Sequence, residues 1–141
     1  MEVQRAAPAL AAHGTTAAVV GFFASPSVAA EWAADVGCTL WVGADPGPAA
    51  GTAGPSYAAF GLARSLTGVW GPDSLTFYGG AVASGRRLPP SKGQDLHQMG
   101  GDFLVDNATG RVLYAHYSAT NTDRPTLPAL LAAAAADDAD A

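Results

Sequence analysis

Apolar and polar positions alternate in blocks along this chain, and the blocks predict strands and helices in turn. The run from Thr15 to Phe23 is apolar or β-branched throughout, which is typical of a parallel strand buried on both faces. A helix is predicted next, because Ser25 can cap it, Pro26 suits its first position and Gly37 can end it. The run from Cys38 to Val42 then predicts a second buried strand.

The second half of the chain shows weaker patterning and then a clear hairpin. Short helices are expected over Ser56–Leu62 and Ser74–Val82, separated by glycine- and proline-containing turns. Two short strands, Asp102–Asp106 and Arg111–His116, flank the turn sequence Asn107–Gly110. Apolar runs joined by a short turn that contains Asn and Gly predict a β-hairpin.

The two ends of the chain are both predicted to be helical. Proline is tolerated best in a first helical turn, so the first helix is expected over Pro8–Ala12, with Gly14 as its stop. The last helix is expected from Leu127 to about Ala136, followed by an acidic, frayed tail at 137–141. We therefore expect a single domain over residues 1–136.

The order of these elements predicts the fold class. Strands separated by helices favour a parallel sheet, and the closing hairpin adds an antiparallel edge. The expectation is an α/β fold with a mixed sheet and flanking helices. This order is that of the second half of a thioredoxin-like fold.

Composition and charge narrow the possible partners and sites. The chain has 7 Lys and Arg against 12 Asp and Glu, so no basic face for nucleic acid is expected. No apolar run approaches the roughly 18 residues that span a bilayer, so no membrane partner is expected. One cysteine excludes an internal disulfide, a paired redox motif and a cysteine-rich zinc site. His13 and His97 are expected to lie apart from any carboxylate cluster, so neither a metal nor a cofactor is predicted.

Three segments, taken in order, resemble the AhpC/TSA antioxidant enzyme family, in particular its peroxiredoxin-like-2 branch. They are Ala44-Asp45-Pro46 with Tyr57 and Phe60-Gly61-Leu62; Gly93-Gln94-Asp95 through Gln98-Met99-Gly100-Gly101-Asp102-Phe103-Leu104-Val105-Asp106; and Gly110-Arg111-Val112-Leu113-Tyr114-Ala115-His116 with Asp123-Arg124-Pro125. The resemblance covers Val3 to Leu131 and implies a thioredoxin-like fold. It also implies thiol-dependent reduction of peroxides or endoperoxides, with electrons from thioredoxin or a similar donor.

The sequence departs from that family at the reactive cysteine. In the family this cysteine follows a strand at the start of a helix, where the helix dipole favours the thiolate. The corresponding helix here is the one that ends at Ala12, so Met1 falls just after the cysteine position. We therefore expect an N-terminally incomplete fold in which this catalysis is weak or lost, and whether the chain is an enzyme stays open. The alternatives are a non-catalytic interaction module and an N-terminally truncated fragment.

The resemblance also implies that the strand before the reactive cysteine is absent here. In thioredoxin-like sheets that strand lies centrally, between the strands matching Thr15–Phe23 and Asp102–Asp106. Without it, two buried strands would face each other with unpaired backbone groups, at about 1–3 kcal/mol for each group left dry. Three outcomes are open: the sheet closes across the gap, a strand-pairing partner or a second copy fills it, or the chain is a shortened version of a longer one. We favour the third.

The single cysteine does not indicate the redox compartment of the protein. The cytoplasm is the favoured location, and an organelle stays open.

Few residues carry candidate chemistry. Cys38 is the only thiol and hence the only candidate nucleophile, but after Gly37 at the start of a buried strand it is better interpreted as a small apolar residue. His116 matches the family's histidine and is either a contact that lines the site or a solvated strand-end residue.

The loop before the hairpin provides the remaining candidates for binding. In a thioredoxin-like fold it approaches the active site, and its glycines let the backbone come close to a ligand; the alternative is a plain turn. The candidate binding residues are Asp95, Gln98, Gly100, Gly101 and His116. The tryptophans are expected in the core: Trp32, Trp41 and Trp70.

Overall fold

Helices and short strands alternate along the chain in a computed structural model that describes residues 2–49, 51–86 and 93–140. Within these ranges the chain forms six helices and four strands. In chain order they are α1 (Glu2–Ala11), β1 (Ala18–Gly21), α2 (Pro26–Val36), β2 (Trp41–Ala44), α3 (Pro55–Ala59), α4 (Leu66–Trp70), α5 (Pro72–Ala83), β3 (Gly101–Val105), β4 (Val112–Tyr117) and α6 (Leu127–Asp140). The α/β fold class expected from the sequence is confirmed.

The strands form two separate sheets among the described residues. β1 and β2 run parallel, with Val19 opposite Val42 and Gly21 opposite Ala44. β3 and β4 form the antiparallel hairpin, with Asp102 opposite His116 and a register shift between Leu104 and Val105. The expected single mixed sheet is therefore not present, because β1 and β3 do not pair.

The separation of the sheets leaves β1 with an open edge. Gly21 pairs with β2, since its carbonyl accepts from the Asp45 N–H at 2.8 Å. Backbone groups alternate in direction along a strand, so those of Val20 point away from β2. Val20 is 46% exposed and Trp41 is 66% exposed. The prediction that these strands are buried on both faces was wrong: α2 packs against β2, but in the described part of the chain no third strand pairs with either of them.

The first helix begins earlier than its proline suggested. α1 starts at Glu2, so Pro8 lies inside the helix instead of in its first turn. Ala6 and Leu10 of α1 are buried against Ala134 of α6, and this apolar packing offsets the backbone hydrogen bond that proline cannot donate. Gly14, at φ 68°, ends the helix as predicted.

The caps predicted for α2 are confirmed. The Ser25 hydroxyl accepts from the Val28 N–H at 3.4 Å, and Pro26 occupies the first helical position. Gly37, at φ 65°, ends the helix in the left-handed conformation that glycine adopts without strain. Cys38 follows directly, and its N–H donates to the Ala33 carbonyl at 2.8 Å.

Two helical regions differ from expectation. α4 was not predicted, and it begins where the Ser65 hydroxyl accepts from the Gly68 N–H at 3.0 Å. α6 continues to Asp140, beyond the expected end near Ala136. Within the described part of the chain, no helix combines the length and apolar character needed to cross a membrane.

Candidate functional site

The segment from Met99 to Gly101 separates two clusters of charged and polar side chains. We call the set on the α4 side the turn cluster: Arg64, Asp95, His97 and Gln98. We call the set at the β3–β4 hairpin and the loop after it the strand cluster: Asp102, His116, Asp123 and Arg124.

Asp95 organises the turn cluster. Its Oδ2 lies 2.6 Å from Nε of Arg64, and its Oδ1 accepts from the His97 N–H at 3.0 Å. The His97 N–H and the Arg64 guanidinium together hold the pKa of the Asp95 carboxyl below its usual range. Because this carboxylate is well satisfied, its first role is to hold the turn.

His97 is held on both sides of its ring. Nε1 of Trp70 donates to Nε2 of His97 at 3.4 Å, and Nδ1 lies 3.3 Å from Oδ1 of Asp95. An indole only donates, so this network assigns Nε2 of the neutral ring as the acceptor and Nδ1 as the protonated nitrogen. His97 thus has one carboxylate neighbour, Asp95. The expectation that Trp70 is a core residue was wrong, since it is 53% exposed.

Gln98 fastens the turn to the segment before α4. The two N–H groups of its side-chain amide are shared among the carbonyls of Leu62, Ala63 and Met99, which lie 3.1–3.3 Å from Nε2. An isolated β-bridge between Arg64 and Gln98 adds backbone contact between the same two segments. Gln98 therefore shapes the backbone next to Gly100.

The strand cluster brings together two carboxylates, one guanidinium and one imidazole. Asp102 and His116 are cross-strand partners, and the loop after β4 supplies Asp123 and Arg124. Nε2 of His116 lies 3.2 Å from Oδ1 of Asp123, and a guanidinium nitrogen of Arg124 lies 3.8 Å from Oδ2 of Asp102. The same nitrogen donates to the Ser118 hydroxyl at 2.7 Å.

Two atoms of the strand cluster are buried without a hydrogen bond. Among the described residues these are Oδ2 of Asp102 and Nε2 of His116. The contact from His116 to Asp123 is close enough for an ion pair once the ring is protonated, but it lacks hydrogen-bond alignment. Burial raises the pKa of the Asp102 carboxyl, although Arg124 and His116 oppose that shift. The N–H of Ala119, followed by His116 and Arg124, lowers the pKa of Asp123.

A half-open cavity of about 290 Å³ lies beside Gly100. Its walls are the segments 61–63, 99–100 and 117–119, together with Ser65. Ser118, which holds Arg124, belongs to this wall and is buried. A Cβ at Gly100 would meet only Arg124, at 3.8 Å, whereas one at Gly101 would lie 2.7 Å from the His116 carbonyl oxygen. Because Gly100 has no side chain, the cavity stays open at this point. Gly101 is required because a Cβ there would collide with the backbone of β4.

Tyr57 of α3 contacts the edge of β1 that faces away from β2. Its hydroxyl donates to the Val20 carbonyl at 3.3 Å, and its ring meets Phe22 edge to face at 5.2 Å. Burial, followed by the negative charge of Asp45, raises the pKa of Tyr57 to about 12, while Arg124 acts in the opposite direction. Tyr57 is therefore a neutral hydrogen-bond donor at ordinary pH.

Cys38 lies at the α2–β2 turn and is half-buried. It follows the C-terminal end of α2, where unpaired carbonyls give the helix dipole its partial negative charge. The Gln4 side chain of α1 contacts the residues on either side of Cys38 in the sequence. It accepts from the Thr39 N–H at 2.9 Å and donates to the Gly37 carbonyl at 3.4 Å. Cys38 therefore lies at the opposite end of a helix from the N-terminal position that activates a reactive cysteine.

The predicted site residues are thus divided between different places. Asp95 and Gln98 join the turn cluster, Gly100 lines the cavity, Gly101 begins β3, and His116 joins the strand cluster. Sequence reasoning did not single out Arg64, Tyr57, Asp102, Ser118, Asp123 or Arg124 as site residues. Regular pairing outward from Asp106 and Arg111 would set Asp102 opposite Ala115, so Asp102 and His116 share a face only because of the register shift between Leu104 and Val105.

Comparison with known proteins identifies one relationship. The family described as "AhpC/TSA antioxidant enzyme" matches residues 2–120 of this chain. No curated protein and no solved structure matches it significantly.

Proposed function

This chain belongs to the AhpC/TSA antioxidant enzyme family, and from that premise we propose that it keeps the redox framework but has little or no thiol-dependent peroxidase activity of its own. The family suggests a thiol-dependent, peroxidase-like redox function. Its substrates would be peroxides or endoperoxides, and its reductant thioredoxin or a similar donor. The cavity beside Gly100 is the place we propose for a small oxidised substrate.

The observation that carries the proposal is the position of the only thiol. A peroxidatic cysteine needs a thiolate, which helix N-termini and neighbouring cations favour. Cys38 instead follows a helix C-terminus, and its turn contacts the amide of Gln4. A thiol in these surroundings is a poor nucleophile toward peroxide.

Peroxide turnover tests the proposal directly. The purified chain is incubated with hydrogen peroxide or an organic hydroperoxide and a thioredoxin system, beside Cys38→Ser and a no-protein control. We expect all three rates to agree. Robust turnover abolished by Cys38→Ser would identify Cys38 as the nucleophile, and turnover retained in that variant would require a non-thiol mechanism; either result rejects the proposal.

A second candidate function is a non-catalytic interaction module. It is favoured by the open edge of β1, whose apolar residues carry no charge or proline to discourage strand pairing. A strand from a partner or a second copy would extend the two-stranded sheet. The expectation of an N-terminally shortened chain stays a prediction.

A charge on the open edge tests this alternative. Val20→Lys places a lysine on the edge without removing a hydrogen bond between β1 and β2. If β1 pairs with another strand, the variant loses the bound partner or dimer while its thermal unfolding stays close to that of the parent. Unchanged light scattering of parent and variant over a wide concentration range would exclude self-pairing through β1.

A further inference from the structure

The loop after β4 contributes both to the cavity wall and to the strand cluster. Ser118 and Ala119 line the cavity beside Gly100. Both are held by charged side chains from the end of the same loop: Oδ2 of Asp123 accepts from the Ala119 N–H at 2.8 Å, and the Arg124 guanidinium donates to the Ser118 hydroxyl at 2.7 Å. The position of this part of the wall therefore depends on how Asp123 and Arg124 are held.

His116 links this loop to the hairpin. Its Nε2 lies 3.2 Å from Oδ1 of Asp123, the carboxylate oxygen that does not bind Ala119. Asp102 is the cross-strand partner of His116 and supplies a second carboxylate. An imidazole nitrogen without a proton offers only a lone pair to a carboxylate oxygen, so the contact with Asp123 becomes attractive when Nε2 is protonated.

The charges of the strand cluster do not balance while the His116 ring is neutral. Asp102 and Asp123 are two carboxylates, and Arg124 is the one guanidinium that faces them. One negative charge therefore lacks compensation in a place where Oδ2 of Asp102 is buried without a hydrogen bond. A proton on the ring of His116 would bring the cluster to neutrality.

The neighbouring elements do not supply this missing charge. α6 packs against both strands of the hairpin and has no charged residue from Leu127 to Ala136. α3 contributes Tyr57, which is close enough to Arg124 to be affected by its charge but is neutral at ordinary pH. Burial raises the pKa of the Asp102 carboxyl, which is the direction expected in a cluster that is short of one proton.

We propose that His116 takes up a proton from solvent as the pH falls below neutral, and that its charged ring, between Asp102 and Asp123, fastens the loop after β4 to the hairpin. Since the attraction needs the proton, it is present at low pH and is lost as the pH rises through the titration of His116. The cavity wall at Ser118 and Ala119 is then held more firmly in acid. Control of substrate binding by this wall would rest on the proposed function, whereas the fastening of the loop does not.

Nuclear magnetic resonance of the labelled chain between pH 8 and pH 5 tests the proposal. The ring signals of His116 report proton uptake, and the amide hydrogen of Ala119 reports the loop through its bond to Asp123. The protection of this amide from exchange, corrected for the intrinsic effect of pH, should rise about threefold as the ring becomes charged. Ring signals that do not change over this range, or a constant protection of Ala119, would overturn the proposal without any variant.

Three variants separate the contributions to this step. Asp123→Asn keeps an oxygen acceptor for the Ala119 N–H but removes the charge, so the step should disappear and His116 should titrate at a lower pH than in the parent. His116→Gln should also remove the step, whereas His13→Gln, which changes a histidine at the end of α1, should keep it. Thermal unfolding confirms that each variant is folded.

Two results with these variants would also overturn the proposal. One is a step in Ala119 protection that persists in His116→Gln, and the other is a titration of His116 that is the same in Asp123→Asn as in the parent. None of these measurements uses a peroxide or a reductant. Failure of the proton-dependent loop contact is therefore distinguishable from failure of the proposed function, which is decided by turnover.

Discussion

The turn cluster and the strand cluster lie on either side of Met99–Gly101 and differ in how their charges are satisfied. In the turn cluster, Asp95 has an arginine and a backbone N–H, and the amide of Gln98 has three carbonyls. In the strand cluster, Oδ2 of Asp102 and Nε2 of His116 are buried without hydrogen bonds. Accordingly, the pKa of Asp95 is lowered while that of Asp102 is raised.

This difference indicates different roles for the two clusters: the turn cluster holds the backbone in place, and the strand cluster has polar atoms available for chemistry. A fully bonded cluster stabilises one backbone conformation, whereas an unpaired buried polar atom costs free energy unless a proton, a ligand or a partner satisfies it. The turn cluster therefore holds the cavity wall beside Gly100. The strand cluster reaches the same wall through Arg124 and Ser118. It keeps two buried polar atoms, Oδ2 of Asp102 and Nε2 of His116, that a proton, a ligand or a partner can still satisfy.

The largest expected effect is at Gln98. Gln98→Glu removes the donor and sets a carboxylate against three carbonyls, which we expect to lower the free energy of unfolding by about 3 kcal/mol at pH 7. Gln98→Met, which has a similar shape and no charge, should cost about 1–2 kcal/mol. Urea unfolding measures both. Equal small losses would show that the amide does not hold the turn.

A smaller loss is expected at Asp95, with a defined pH dependence. The lowered pKa means that the ionised carboxylate contributes stability above the ordinary aspartate range near about pH 4, and this contribution is lost as the pH falls through the lowered pKa. Asp95→Asn should cost about 1 kcal/mol at pH 7, and the difference from the parent should shrink in acid. Unfolding curves from pH 7 to pH 3 measure it. A constant difference would contradict the assignment.

The smallest effect, and the opposite sign, is expected at Asp102. Its raised pKa means that the folded chain binds this proton more tightly than the unfolded chain, so the associated stability is present at low pH and lost as the pH rises through the raised pKa. Asp102→Asn should therefore be neutral or stabilising by up to about 1 kcal/mol at pH 7. The same pH series detects it. A loss as large as that of Asp95→Asn would make the two clusters equivalent.

Local signals in the sequence predicted much of the fold. Ser25, Pro26 and Gly37 each act through their own backbone or a neighbour, so the bounds of α2 could be predicted. The hairpin could be predicted because the residues that form its turn, which ends at Gly110 at φ 72°, are adjacent in the sequence. Pro8 misled the prediction because burial of Ala6 and Leu10 against α6 is a long-range effect that outweighs local preference.

The candidate site was harder to predict. His97 meets Trp70 across the turn, and His116 meets Asp123 from the following loop, so both contacts depend on tertiary placement. The separation of the strands into two sheets also depends on contacts that a linear pattern does not contain. Strand burial could not be predicted for the same reason, since Trp41 and Val20 read as core residues and are exposed.

The central claim is that this chain belongs to the AhpC/TSA antioxidant enzyme family while its only thiol follows a helix C-terminus instead of lying at a helix N-terminus. The most direct measurement is the rate at which hydrogen peroxide oxidises Cys38, followed by mass spectrometry in the native chain and in the chain unfolded by urea at the same pH. The account predicts that the native rate is equal to or below the unfolded rate, because the α2 C-terminus and partial burial give the thiol no activation. A native rate tenfold or more above the unfolded rate would contradict it.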